Sequence, residues 1–173
     1  MAKLFLIGYM GAGKSTSGEK LAALLNYNFI DLDKLIEKDY MLSIPEIFAT
    51  KGEQGFREME HQTLKRLLEK DNLVIACGGG TPCYYNNLEL INNNGISVYI
   101  KMSVDALVDR LVTAKEKRPI IENKTEIELR SFISRQLIKR EDFYRKAQFT
   151  VKGKDLDINE LALFVKKKLE VSI

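Results

Sequence analysis

The sequence predicts an α/β fold: a three-layer sandwich with one five-stranded parallel sheet flanked by helices. Three observations predict it. Short apolar runs alternate with stretches of helical spacing along the whole chain, without repeat or linker, which is the pattern of βα units around a parallel sheet. The run at 73–77, Leu-Val-Ile-Ala-Cys, is apolar at every position, as befits a strand buried on both faces. A third signal is Gly8, Gly13, Lys14 and Ser15, which match G-x-x-x-x-G-K-[ST] between an apolar strand and a helical pattern, the context that gives this phosphate-binding loop its meaning.

Each element has a local reason. Leu4 to Ile7 are apolar and set the first strand at 3–7; Leu21, Leu24 and Leu25 give 14–25 helical spacing. A short strand at 28–31 runs into Asp31-Leu32-Asp33, and a helix is expected at 34–39. Ser43-Ile44-Pro45-Glu46 reads as an N-cap with Pro at the first helical position and Glu at the third, so a helix runs to about Thr50. Gly52 stops it, and a longer helix at 53–69 turns Leu64, Leu67 and Leu68 inward. After the strand at 73–77 come Gly78-Gly79-Gly80, a helix at 84–92 and a strand at 96–101. Ser103 caps a helix to about Val112, the charged stretch 114–124 is a loop, and Thr125 caps a long helix to about Tyr144. A strand at 148–151 and a helix at 158–169 close the chain.

At 173 residues, with 45% hydrophobic and 29% charged side chains, one domain with a substantial core is expected. The net charge of +3 is too mild to imply nucleic acid and compatible with an anionic substrate. Cys77 and Cys83 fit no zinc or redox spacing and read as free thiols. No stretch resembles a signal peptide or approaches the roughly 20 apolar residues of a membrane helix, so a cytoplasmic location is expected.

In parallel sheets, ligands gather beyond the carboxyl ends of the strands. The glycines of residues 8–13 let backbone N–H groups close on a phosphate, and the helix start adds its partial positive charge. Lys14 reaches the outer phosphates, and the Ser15 hydroxyl ligates Mg²⁺. Asp31 and Asp33, two apart at a strand end, point the same way: one holds the Mg²⁺ water shell and the other orients or deprotonates an acceptor hydroxyl. A plain N-cap role for Asp33 is the alternative. Arg57 lies four residues after Glu53 and three before Glu60, either in a surface ion-pair ladder or as a fork held for a carboxylate or phosphate. The triple glycine is either a simple turn or a place where a ligand approaches the backbone. Arg118, with Lys115 and Lys117, belongs either to a solvated loop or to a mobile lid over the transferring phosphoryl group. Arg110, Arg140 and Arg145 lie on helices flanking the same cleft. His61, the only histidine, reads as a helix-surface residue. The strand at 73–77 ends without the acidic residue of large P-loop ATPases, and Asn123-Lys124-Thr125-Glu126 has Glu where guanine readers carry Asp. Both point to a small-molecule kinase.

The P-loop, Asp31-Leu32-Asp33, Ser43-Ile44-Pro45-Glu46-Ile47-Phe48, Gly52 to Glu60, Gly78-Gly79-Gly80, Arg118-Pro119, Arg140 and Tyr144-Arg145 together resemble the shikimate kinase family over nearly the whole chain. The resemblance implies ATP-dependent phosphorylation of the shikimate 3-hydroxyl, on the route to chorismate and aromatic amino acids. It implies that Asp33 binds shikimate hydroxyls and activates the nucleophile, that Arg57 and Arg140 grip the carboxylate, and that Gly78, Gly79 and Gly80 lie along the substrate. By the same resemblance Gly11, Ala12, Gly13, Lys14, Ser15, Thr16, Arg110 and Arg118 bind ATP, with Arg118 as lid arginine and Arg110 near the adenine. Ser15 ligates Mg²⁺ and Asp31 supports it through water. Residues 33–60 become the acceptor-binding segment and 112–124 the lid of a single domain, expected to be a monomer with no nucleic-acid or membrane partner. Two rivals remain at this point: another small-acceptor kinase, such as a gluconate or nucleoside monophosphate kinase, and an ATP-binding module without transfer activity.

Overall fold

The computed structural model describes residues 2–114 and 124–171. Its strands are β1 (Lys3–Ile7), β2 (Asn28–Asp31), β3 (Leu73–Ala76), β4 (Ile96–Lys101) and β5 (Phe149–Lys152). They form one sheet in the order β2-β3-β1-β4-β5, parallel at every pairing. β1 is central: Leu4 stands opposite Val74 of β3 on one side and Ile96 of β4 on the other. β1 and β3 are buried along their full length, while the edge strands β2 and β5 keep part of their surface exposed. That gradient is why the central runs are continuously apolar and the edge runs are not.

The helices are α1 (Lys14–Leu25), α2 (Leu32–Tyr40), α3 (Ile44–Leu67), α4 (Asn87–Asn94), α5 (Val104–Thr113), α6 (Glu126–Tyr144) and α7 (Ile158–Val171). They flank the sheet, with α1 against α7, α2 against α3 and α5 against α6. Phe5, Leu6, Leu21, Ile36, Ile47, Leu64, Ile75, Val98 and Leu107 are fully buried and join these layers into one core. Ser43 and Thr125 build complete capping boxes with Glu46 and Glu128, so both starts agree with the sequence reading.

Three boundaries differ from expectation for physical reasons. α2 begins directly after β2, because Asp31 itself accepts from the Lys34 amide and caps the helix. The expected helices at 43–50 and 53–69 form one run that bends at Gly52, whose φ of 68° and ψ of −178° lie outside helical space. The expected helix at 84–92 starts later, because Pro82 sits in a 3-10 turn, Thr81–Cys83, and Tyr85 adopts a left-handed φ of 51°.

Gly95, at the entry to β4, has no room for a side chain. A Cβ there would fall 2.4 Å from the Lys3 carbonyl oxygen, part of the central strand. Gly95→Ala should cost about 1–3 kcal/mol through overpacking and lower the melting temperature by roughly 2–4 °C per kcal/mol. A thermal melt followed by circular dichroism measures this.

Candidate active site

β1 ends in the phosphate loop. Gly8 takes a φ of 142°, and a Cβ there would lie 2.8 Å from the Ile100 carbonyl oxygen, so this turn needs glycine. Gly13, at φ 92°, caps α1 without a side chain, leaving the first-turn N–H groups facing the loop for an anion. Lys14 is buried and its Nζ donates to the Gly8 and Tyr9 carbonyls, both at 2.9 Å. The ammonium therefore lies along the loop that a phosphate would enter. Arg110 donates to the Ala12 carbonyl at 3.1 Å and to the Gly153 carbonyl at 3.2 Å, tying the loop to the segment after β5. Ala12 is buried, Gly11, Gly13 and Ser15 are half-buried, and Thr16 is exposed at the start of α1.

Beside the loop, the Ser15 hydroxyl donates to Asp31 Oδ2 at 2.6 Å. Two hard oxygen donors next to a phosphate site fit Mg²⁺, which takes one or two protein oxygens and completes its shell with water and phosphate. Asp33 lies in the first turn of α2 rather than on β2. It faces the end of β3, where both it and Asp31 bear on the buried Cys77 thiol, and Asp31, not Asp33, is the helix cap.

The triple glycine is where Asp33, Glu60, Arg57 and Arg140 converge. A Cβ on Gly78 would sit 2.7 Å from Asp33 Oδ1 and 2.8 Å from Glu60 Oε1. One on Gly79 would sit 3.4 Å from the Met10 amide nitrogen and 3.5 Å from an Arg140 Nη. One on Gly80 would sit 2.7 Å from both Arg57 Nη atoms. No positive φ occurs at these three positions. Close approach, not turn geometry, is what favours glycine at Gly78 and Gly80.

Arg57 is not a surface ladder residue. Its Nη1 donates to Glu60 Oε2 at 3.0 Å, and Glu60 is fully buried. Glu60 also accepts from the Thr81 hydroxyl at 2.5 Å; Asn87 donates to the Thr81 carbonyl at 2.9 Å, and Asn87 Oδ1 lies 2.6 Å from His61 Nδ1. His61 is thus half-buried and stacked on Tyr85, not a plain surface residue. Burial works against the Arg57 charge, but Glu60, with Tyr84 and Glu53 behind it, outweighs burial and holds the guanidinium pKa above its ordinary value. Arg57 Nε is buried and, among the described residues, has no acceptor, which is costly unless a ligand supplies one.

Arg140 of α6 lies over the Tyr9 ring, 5.7 Å from its centroid, and Tyr144 donates to the Gly79 carbonyl at 2.5 Å. Arg145 turns elsewhere: it is exposed and pairs with Glu141, which also holds Lys101. Cys77 and Cys83 are free, as expected, and burial pushes the Cys83 thiol up to about 11. Arg118 and its neighbours at 115–123 lie outside the described residues. Sequence spacing did not single out Thr81 or Tyr84, because both follow the triple glycine in an irregular turn with no periodicity to read.

A phosphate loop at the end of β1, and a buried arginine of α3 set against the glycine turn after the adjacent strand β3, mark a P-loop kinase for a small anionic acceptor. The shikimate kinase family model matches residues 10–170. A shikimate kinase of Azobacteroides pseudotrichonymphae is 43% identical over 162 residues, 93% of this chain and 95% of the relative. The crystal structure of shikimate kinase from Bacteroides thetaiotaomicron matches with a TM-score of 0.92 and 41% identity over 98% of both chains. That of Acinetobacter baumannii shikimate kinase in complex with shikimate matches with a TM-score of 0.86 and 31% identity, over 99% of this chain and 94% of the other. The chain belongs to the shikimate kinase family. Its reaction is the phosphorylation of shikimate by a nucleotide donor, within aromatic biosynthesis.

Glu60 holds two buried partners, Arg57 and Thr81. Glu60→Ala should therefore destabilise the fold by about 3 kcal/mol, since it leaves a buried cation short of its carboxylate. Glu60→Gln should cost less. Urea denaturation of the three proteins tests the order.

Proposed function

We propose that ATP is the donor and the 3-hydroxyl of shikimate the acceptor, with the triple-glycine end of β3 as the acceptor site. The observation that carries this reading is Arg57: buried, braced by Glu60, with an Nε donor that lacks an acceptor among the described residues. A planar carboxylate suits such a fork. Arg140, beside Gly79, takes the second side of the same carboxylate. Gly78, Gly79 and Gly80 lie along the ring of the acceptor, and residues 33–60 form the acceptor-binding segment of a single domain.

Asp33 accepts the proton of the attacking hydroxyl. The hydroxyl oxygen bonds to the γ-phosphorus, the bond from that phosphorus to the bridging oxygen breaks, and ADP leaves with the electron pair. Lys14 stabilises charge on the transferring oxygens, and Gly11, Ala12, Gly13, Ser15, Thr16 and Arg110 hold the nucleotide. Arg118, in the expected lid at 112–124, serves the same oxygens. Ser15, and Asp31 through water, would hold Mg²⁺, which when bound neutralises the β- and γ-phosphate oxygens. The rest of the rate comes from positioning.

The same reading makes the enzyme a cytoplasmic monomer without a nucleic-acid or membrane partner. The net charge of +3 is too mild to imply nucleic acid; no helix among the described residues is long and apolar enough to cross a membrane. Light scattering in solution tests the monomer.

A coupled ADP-release assay with shikimate, gluconate and nucleoside monophosphates tests the acceptor. Turnover on shikimate alone is expected; turnover on another acceptor but not on shikimate would overturn the assignment. Arg57→Ala should raise the shikimate KM by an amount equivalent to about 2–5 kcal/mol, the loss of a buried charged contact, with the ATP KM little changed. Asp33→Asn should lower kcat by roughly 10²-fold or more, the scale of general-base catalysis, with a near-native melting temperature. Activity within a few-fold of wild type would remove the proton-accepting role from Asp33.

A further inference from the structure

Tyr84 belongs to none of the motifs above, yet it touches both Arg57 and one of its carboxylates. Its ring centroid lies 4.1 Å from Arg57 Cζ. Its hydroxyl donates to Glu53 Oε1 at 2.7 Å, and Arg57 Nη2 reaches that same oxygen only at 3.4 Å. The one carboxylate oxygen accepts from both, closely from the phenol and at the long limit from the guanidinium.

The two carboxylates beside Arg57 differ in kind. Glu60 is fully buried and fixed by Thr81. The Glu53 side chain is 57% exposed and borders a cleft of about 350 Å³ shared with Gln54, Arg57, Tyr84 and Tyr85. A carboxylate with that much room is a built-in rival for any carboxylate-bearing substrate, because both seek the same guanidinium.

We propose that Tyr84 is a positioning residue for the acceptor: its hydroxyl holds Glu53 back from Arg57, and its ring fixes the guanidinium plane, so that the fork stays open to the substrate carboxylate. This rests on the reading of Arg57 as the carboxylate ligand. The turn that carries Tyr84 is itself well anchored. Thr81 and Cys83 amides donate to the Gly78 and Gly80 carbonyls at 3.1 and 2.9 Å, and the next residue, Tyr85, stacks on His61 at 4.8 Å. The titration behaviour agrees. The Tyr84 hydroxyl is the leading cause holding the Glu53 carboxyl below its usual range, with Arg57 weaker. Burial first, and then the bond to Glu53, push the Tyr84 phenol up, which keeps it a donor.

The test is a double-mutant cycle with Tyr84→Phe, Glu53→Gln and both together, reading KM for shikimate and for ATP separately. Tyr84→Phe keeps the ring and removes only the hydroxyl. It should raise the shikimate KM by about three- to tenfold, the scale of one lost hydrogen bond, with the ATP KM and melting temperature unchanged. Adding Glu53→Gln should return the shikimate KM to within about twofold of wild type, because a neutral amide does not compete for the guanidinium; that non-additivity is what a merely structural role would lack. A Tyr84→Phe enzyme with wild-type shikimate KM, equal rises in both KM values, or a double variant no better than Tyr84→Phe would each overturn the proposal. Arg57→Ala, measured alongside, separates the two levels. If it leaves the shikimate KM unchanged, the carboxylate reading of Arg57 fails and this inference with it. If it raises that KM while Tyr84→Phe does not, only the role of Tyr84 fails.

Discussion

The three glycines after β3 leave bare backbone against which Asp33, Glu60, Arg57 and Arg140 all pack. Side chains at Gly78 and Gly80 would occupy the space that Asp33, Glu60 and Arg57 use, at separations below 3 Å, while Arg140 stands at ordinary contact distance from Gly79. The constraint is steric, and it precedes any chemistry. Only once the backbone is bare can a carboxylate from α2, an ion pair from α3 and a cation from α6 meet within one small volume. The amide of Met10 near Gly79 brings the phosphate loop into the same contact.

Electrostatics then set what this volume accepts. Arg57 and Glu60 are a buried pair, and taking both charges out of water is expensive. The cost is tolerable because Thr81 satisfies a further oxygen of Glu60, and the Tyr84 ring lies against the Arg57 guanidinium. What emerges is a cation fixed in place before any ligand arrives. An anionic acceptor meets a fork that needs little reorganisation, which is how phosphoryl transfer gains most of its rate: by orientation and charge compensation, not by covalent assistance.

Much of this was legible in the sequence, and the reasons differ by element. Strands β1 and β3 declared themselves through unbroken apolar runs, and α3 and α6 through their capping boxes, because those signals are local. The phosphate loop was legible for the same reason. Arg57 was only half legible: Glu53 and Glu60 at helical spacing are compatible with a solvated ladder, and Glu60 is enclosed by Gly78 and Thr81 of the turn after β3, far off in sequence. The Asp31-Leu32-Asp33 reading kept both aspartates at a strand end, whereas β2 stops at Asp31, two residues short of Asp33, which falls in the first turn of α2. Tyr84 was invisible, since its partners are 27 and 31 residues away in sequence and its own turn has no period.

The order β2-β3-β1-β4-β5 puts the phosphate loop and the triple glycine on neighbouring strands. Adjacent strands stand about 4.8 Å apart, a spacing maintained by backbone hydrogen bonds and indifferent to side-chain identity. The sheet therefore acts as a ruler between the phosphate loop and the triple glycine. Side-chain replacement around the cleft alters tilt, charge and protonation, but the separation of these two strand ends is metered by the main chain.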